Sequence, residues 1–90
     1  MTENNLSSDD VRRRRILFRA THRGSHETDI LIGGFVRARL ADFTEAELDE
    51  IEEIMELSDT FLADWLTGRL PIPDHVNSGL LRAMKDAAGS

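Results

Sequence analysis

The chain contains no cysteine and no tyrosine, and only one tryptophan and two prolines in its 90 residues. Without cysteine there are no disulfides, no thiolate zinc sites and no cysteine nucleophile, and a reducing compartment is the natural setting. No apolar run approaches the roughly 20 residues that span a bilayer. The first ten residues are polar and acidic, not a basic region followed by an apolar one, so no signal peptide is expected. Arg12 to Arg15 would suit a transit peptide, but Glu3, Asp9 and Asp10 oppose that reading, and the expected location is the cytoplasm. Also missing are a phosphate-binding glycine loop, a dinucleotide fingerprint and a Gly-x-Ser-x-Gly elbow. Acidic side chains are plentiful between Asp42 and Asp64, yet nothing singles out two of them as a buried acid and base. No catalytic residue is assigned, and an enzyme in its own right is not expected.

Basic residues are missing from one stretch altogether. Residues 40–68 carry 10 acids and no lysine or arginine, whereas residues 1–39 carry 8 arginines and 5 acids, within a net charge of −6. Such a division favours a protein partner with complementary patches over a uniform polyanion, and its plainer meaning is a solvated acidic helix face. The arginine run at 12–15 suits phosphate contacts, but the acidic total and the lack of interleaved aromatics weigh against nucleic acid.

What is present is helical periodicity in a chain sized for one domain with a small core. Residues 1–8 read as a disordered polar tail, and residues 9–88 as a single domain. Ser7 or Asp9 starts a first helix to about Thr21, with Val11, Ile16, Leu17 and Ala20 facing inward. A second runs from Ser25 or Thr28 to about Leu40. Gly33-Gly34 inside it calls for a kink or a close helix contact, because each glycine costs roughly 1 kcal/mol against alanine there. Thr44-Glu45-Ala46-Glu47 has the form of a capping box and opens a third helix with Leu48, Ile51, Ile54 and Met55 as its stripe. A fourth begins at Ser58 or Asp59 and stops at Gly68, with Phe61 and Trp65 expected at the centre of the core. Leu70-Pro71-Ile72-Pro73 is extended, and a last helix opens at Asp74 or Asn77. The expected fold class is all-α, a compact bundle of five short helices.

The segment least concerned with a core is His22 to Asp29, a charged junction around Gly24. Glycine turns the chain at positive φ without steric cost, and Ser25 can cap the helix that follows. Arg23 and Glu27 are four residues apart, and local pairing and partner recognition stand as equal alternatives for them. Asp29 carries the same two readings, with helix-start electrostatics as its plain role. His22 and His26 have metal-compatible spacing but lack a third ligand, so no metal site is assigned.

His22 to Phe35 resembles, in order, the Arg-Gly-x-x-Glu-x-Asp signature, apolar run and phenylalanine of the succinate dehydrogenase assembly factor family, the small flavinylation factors. Leu57, Asp59, Leu62, Trp65, Leu66, Gly68, Pro71 and Pro73 resemble the family's second block, and the likeness extends from about Arg13 to Met84. Phe61 and Ala63 stand where the family commonly has an acid and an aromatic, so no contact is carried over there. The resemblance implies a five-helix assembly chaperone, monomeric when free. Its partner would be the flavoprotein subunit of succinate dehydrogenase, and often in the family that of fumarate reductase. It would promote covalent attachment of FAD to a histidine of that subunit; no stably held cofactor is expected, and the charge and hydropathy pattern above leads us to expect no nucleic-acid binding and no membrane insertion. Arg23, Gly24 and Glu27 carry over as partner-binding residues, with Asp29 beside them. The rival classes are a regulatory module of antitoxin type and a nucleic-acid binder acting through Arg12 to Arg15.

Overall fold

A computed structural model describes residues 7–89, and five α-helices with two single 3-10 turns make up its regular structure. Helix α1, Ser8–Thr21, opens on a capping box in which the Ser7 hydroxyl accepts the Asp10 N–H and the Asp10 carboxylate accepts the Ser7 N–H. The tail expected over residues 1–8 falls mostly outside the described residues, and Ser7 and Ser8 already belong to this helix start. Helix α2, His26–Arg39, ends in a 3-10 turn, Leu40–Asp42. Helix α3, Glu45–Met55, opens on the Thr44/Glu47 capping box. Helix α4, Asp59–Leu66, closes through Gly68 at φ 82°, the left-handed position that glycine takes at a helix end.

Helix α5, Gly79–Ala88, begins later than Asp74 or Asn77, the starts expected from the sequence. Asp74–Val76 forms a separate 3-10 turn, and Ser78 is the residue that caps α5, its hydroxyl accepting the Leu81 N–H. A second cap comes from a different helix: Glu50 of α3 accepts the Leu80 N–H at 2.8 Å. Two of the orphan donors at the start of α5 are thereby satisfied.

Helix α2 is central, packing against α1, α4 and α5, while α3 closes over α1 and α5. The core joins Ile16 and Ala20 of α1, Ile32, Phe35 and Val36 of α2, and Leu48, Ile51, Ile54 and Met55 of α3. Leu62, Trp65 and Leu66 of α4, Leu80, Leu81 and Met84 of α5, and Phe43 before α3 complete it. Two sequence expectations fail here. Val11, expected inward, is 39% exposed on the outer face of α1. Phe61, expected at the core centre, is 54% exposed and lies stacked on buried Trp65, with ring centroids 5.7 Å apart. Position i+4 along α4 faces inward, and Phe61 only covers its edge.

The glycine pair in α2 is resolved by a close contact at one of its members. A Cβ on Gly33 would lie 2.9 Å from Thr21 Cγ2 and 3.3 Å from the Ala20 carbonyl oxygen, so the end of α1 rests directly on α2 there. Gly34 faces open space.

The basic beginning and acidic middle of the sequence meet within the molecule. Arg12 reaches from α1 to Glu52 (2.8 Å), Asp49 (2.5 Å) and Glu45 (3.6 Å) of α3, and Arg19 reaches Glu56 at 2.5 Å. Arg13 pairs with Asp9 and donates to the carbonyls of Leu40 and Phe43, holding the 3-10 turn after α2. The acidic helix is thus partly neutralised by α1, and not simply a solvated face.

Candidate functional site

The junction between α1 and α2 is where the charged segment around Gly24 lies. Gly24 has φ 99°, a backbone region that L side chains rarely adopt, and no heavy atom stands near where its Cβ would be. The requirement for glycine is therefore conformational on the protein's own side, and the space outside is open. Ser25 occupies the N-cap position of α2 but makes no side-chain cap bond, contrary to the sequence expectation. The first turn is instead tied by Thr28, fully buried, whose hydroxyl donates to the Ser25 carbonyl oxygen.

Arg23 does not pair with Glu27. Its side chain, 9% exposed, turns inward and crosses to the connection between α3 and α4. Nε donates to Asp59 Oδ1, Nη1 to the Met55 carbonyl oxygen and Nη2 to the Leu57 carbonyl oxygen, each at 2.6 Å. Met55 is the last residue of α3 and Asp59 the first of α4. A cation placed on the orphan carbonyls of one helix end, and paired to a carboxylate at the start of the next, suits both helix dipoles. The backbone N–H of Arg23 donates in turn to Asp29 Oδ1 at 2.6 Å, so this residue is fastened at both ends.

Glu27 stands on the outside of the same junction. Its side chain is half exposed, with one long contact of 3.5 Å to Arg69, which also pairs with Asp64. An exposed pair of this kind contributes under about 1 kcal/mol and exchanges readily for a better partner. Glu27 also edges an open groove of about 310 Å³ with Ile30, Leu31, Leu66, Thr67 and Ala88. On the other side of Arg23, an open cleft of about 420 Å³ is lined by Phe18, Arg19, His22, Arg23 and Asp59. Phe18 and His22 stack there with centroids 4.0 Å apart, and His22 Nδ1 lies 2.9 Å from the Phe18 carbonyl oxygen. Among the described residues no group of three or more histidines and acids is placed to hold a metal ion.

The four residues singled out in the sequence are thus gathered in one junction but divided by role. Gly24 and Glu27 face outward, while Arg23 and Asp29 build the base beneath them. The sequence reading missed the contact between Arg23 and Asp59. Both lie in the two motif blocks, but 36 positions separate them and no periodicity connects them. It also missed Arg69, the partner of Glu27, which sits in an irregular segment after Gly68.

Comparison with known proteins adds a second line. Residues 14–88 match the model of the family described as flavinator of succinate dehydrogenase. The chain is 51% identical over 84 residues to the FAD assembly factor SdhE of Acetobacter pasteurianus, covering 93% of this chain and 74% of that protein. It is 31% identical over 83 residues to succinate dehydrogenase assembly factor 2, mitochondrial, of Scheffersomyces stipitis, covering 88% of this chain and 56% of the relative. The protein of the same name from Debaryomyces hansenii is 32% identical over 85 residues, with 90% of this chain and 60% of that protein covered. Relative to those two mitochondrial proteins the chain spans less than two thirds of their length. With 75 consecutive residues matched, across both motif blocks and all but the first turn and a half of α1, the chain belongs to the flavinator of succinate dehydrogenase family.

Proposed function

We propose that this protein binds the flavoprotein subunit of succinate dehydrogenase, and that of fumarate reductase where one is present, and promotes covalent attachment of FAD to a histidine of that subunit. It acts in the cytoplasm as an assembly chaperone, without catalytic groups or a stably held cofactor of its own. The observation that carries this reading is the α1–α2 junction, where Gly24 and Glu27 are presented outward on a base held by Arg23.

Covalent flavinylation needs the acceptor histidine and the isoalloxazine ring held in near-attack geometry, with negative charge on the ring stabilised as the bond forms. A small protein assists by binding one conformation of the flavoprotein better than others, which shifts the population toward that conformation. Gly24 lets the partner's surface approach the backbone closely, since no side chain intervenes. Glu27 offers a carboxylate whose present partner is a weak surface contact, and a donor on the flavoprotein replaces Arg69 at little cost. Arg23 serves from below, its guanidinium N–H groups being committed to Asp59 and two carbonyls.

The nucleic-acid alternative is weakened by the fold, because Arg12, Arg13 and Arg19 are engaged within the molecule and Arg14 and Arg15 remain the exposed members of the run. The test is covalent flavin fluorescence of the succinate dehydrogenase flavoprotein in denaturing gels, from cells lacking this protein and complemented with wild type or Glu27→Ala. Loss of fluorescence restored by wild type alone is the expected result. Full fluorescence without the protein refutes the reading and favours a regulatory, antitoxin-like role.

A further inference from the structure

We propose that Asp59 is a positioning residue for docking: it holds the Gly24–Glu27 edge in its binding geometry through Arg23, and it rests on the docking reading above. An ion pair joins the two motif blocks of the sequence, the 2.6 Å bond from Arg23 Nε to Asp59 Oδ1. Around it, the Arg23 guanidinium also binds the last carbonyl of α3 and the Leu57 carbonyl in the α3–α4 turn. Three chain segments, the α1–α2 junction, the end of α3 and the start of α4, are therefore pinned by one side chain.

The energetics single out the carboxylate as the member that fixes this arrangement. Arg23 is 9% exposed and Asp59 27%, so the pair is shielded and its cation is not free to be hydrated elsewhere. The two carbonyls supply only neutral acceptors. Without the Asp59 charge, a nearly buried guanidinium is left with an uncompensated charge, and its low-cost escape is outward, into the open cleft beside Phe18, Arg19 and His22. That movement carries the backbone of residue 23 with it, pulls on the bond from the Arg23 N–H to Asp29, and turns Gly24, the next residue, away from its set conformation. Asp59 touches no part of the docking edge, yet the edge's geometry depends on it. Its plain alternative role, a favourable charge in the first turn of α4, predicts a loss of helix stability and no change in docking.

The experiment titrates the purified succinate dehydrogenase flavoprotein subunit with wild type, Glu27→Ala, Asp59→Asn, Asp59→Glu and the core variant Ile51→Val, at a temperature where each is folded. Amide hydrogen exchange is followed on the free proteins. Asp59→Asn is expected to weaken binding by about tenfold or more, the scale of a small misplacement of a binding group. Asp59→Glu should recover part of the affinity, and Ile51→Val should bind as wild type although it is less stable. Amides of residues 24–27 should exchange faster in Asp59→Asn while those of Ile32 to Val36 do not. Should Asp59→Asn fail to fold, the same reading is taken from Asp59→Glu, which keeps the charge but displaces it by one methylene. Wild-type affinity in folded Asp59→Asn, or, where that variant does not fold, in Asp59→Glu with amide exchange at residues 24–27 unlike that of wild type, when Glu27→Ala has lost it, overturns the positioning role and leaves the docking reading standing. Wild type that does not bind at all removes both.

Discussion

Gly33 and Gly34 are adjacent, share a helix and have opposite consequences. At Gly34 a methyl group meets nothing within van der Waals contact, so Gly34→Ala should gain most of the ~1 kcal/mol that alanine holds over glycine in a helix interior. At Gly33 the same methyl lies 2.9 Å from Thr21 Cγ2. Thr21 cannot simply rotate, because its hydroxyl donates to the Leu17 carbonyl oxygen at 2.9 Å, and the Ala20 carbonyl oxygen behind it is backbone. Overpacking of this kind costs ~1–3 kcal/mol and outweighs the propensity gain, so Gly33→Ala should be destabilising. Thermal unfolding of the two variants should bracket wild type, Gly34→Ala above and Gly33→Ala below. The sequence announced that the pair was costly and that a close contact was one remedy. It did not say which glycine carried the contact, since that depends on where α1 ends against α2. Arg23 illustrates the same limit more sharply: its place in the junction is legible in the sequence, but its direction is not, because Met55, Leu57 and Asp59 reach it only through tertiary folding.

The starts of α1, α2, α3 and α4 fall where the sequence places them, and that of α5 does not. The Thr44/Glu47 box needs only four residues, so it is visible without a fold, and Thr44→Ala should lower stability by ~1 kcal/mol in chemical denaturation. The start of α5 has several rival polar residues after Pro73, and the deciding cap is supplied partly by Glu50 from another helix. Pairing between elements is equally hidden: the opposite charges of α1 and α3 read as partner patches or as a solvated acidic face, and only the fold brings them together. Glu52 shows the consequence. Its carboxyl lies below the ordinary glutamate range, chiefly through the hydrogen bond from Arg12 and further through the charge of that guanidinium, against the opposing effects of desolvation and of Asp49. A depressed folded-state value means the unfolded chain binds the proton more readily. This contribution is therefore fully present above the unfolded value, about 4.3, and is lost as pH falls through the lower folded value. Wild-type stability should decline over that acid range, and Glu52→Gln should flatten the decline while leaving a smaller stability at neutral pH. A variant whose acid profile superimposes on wild type would exclude Glu52 as a source of the dependence.

At the scale of the whole molecule, a 90-residue chain has little surplus stability, and its five helices share one core cluster. The fastenings run between elements that are distant in sequence: α1 to α3 through Arg12 and Arg19, the α1–α2 junction to α3 and α4 through Arg23, and α3 to α5 through Glu50. No helix is free of another's support, so unfolding should be a single cooperative event. Leu81 tests this from the end of the chain. It is fully buried on α5, and Leu81→Ala should remove ~2–5 kcal/mol, a large share of the ~5–15 kcal/mol typical of a folded domain. Trp65, the single tryptophan, is buried on α4 and reports the core by fluorescence, while far-ultraviolet circular dichroism reports all the helices. If the molecule is one unit, both signals in Leu81→Ala move to the same lower denaturant midpoint with an unchanged slope. If α5 instead melts ahead of the rest, part of the helical signal is lost before the bulk of it, the apparent slope falls, and the fastening through Glu50 is too weak to couple α5 to α3.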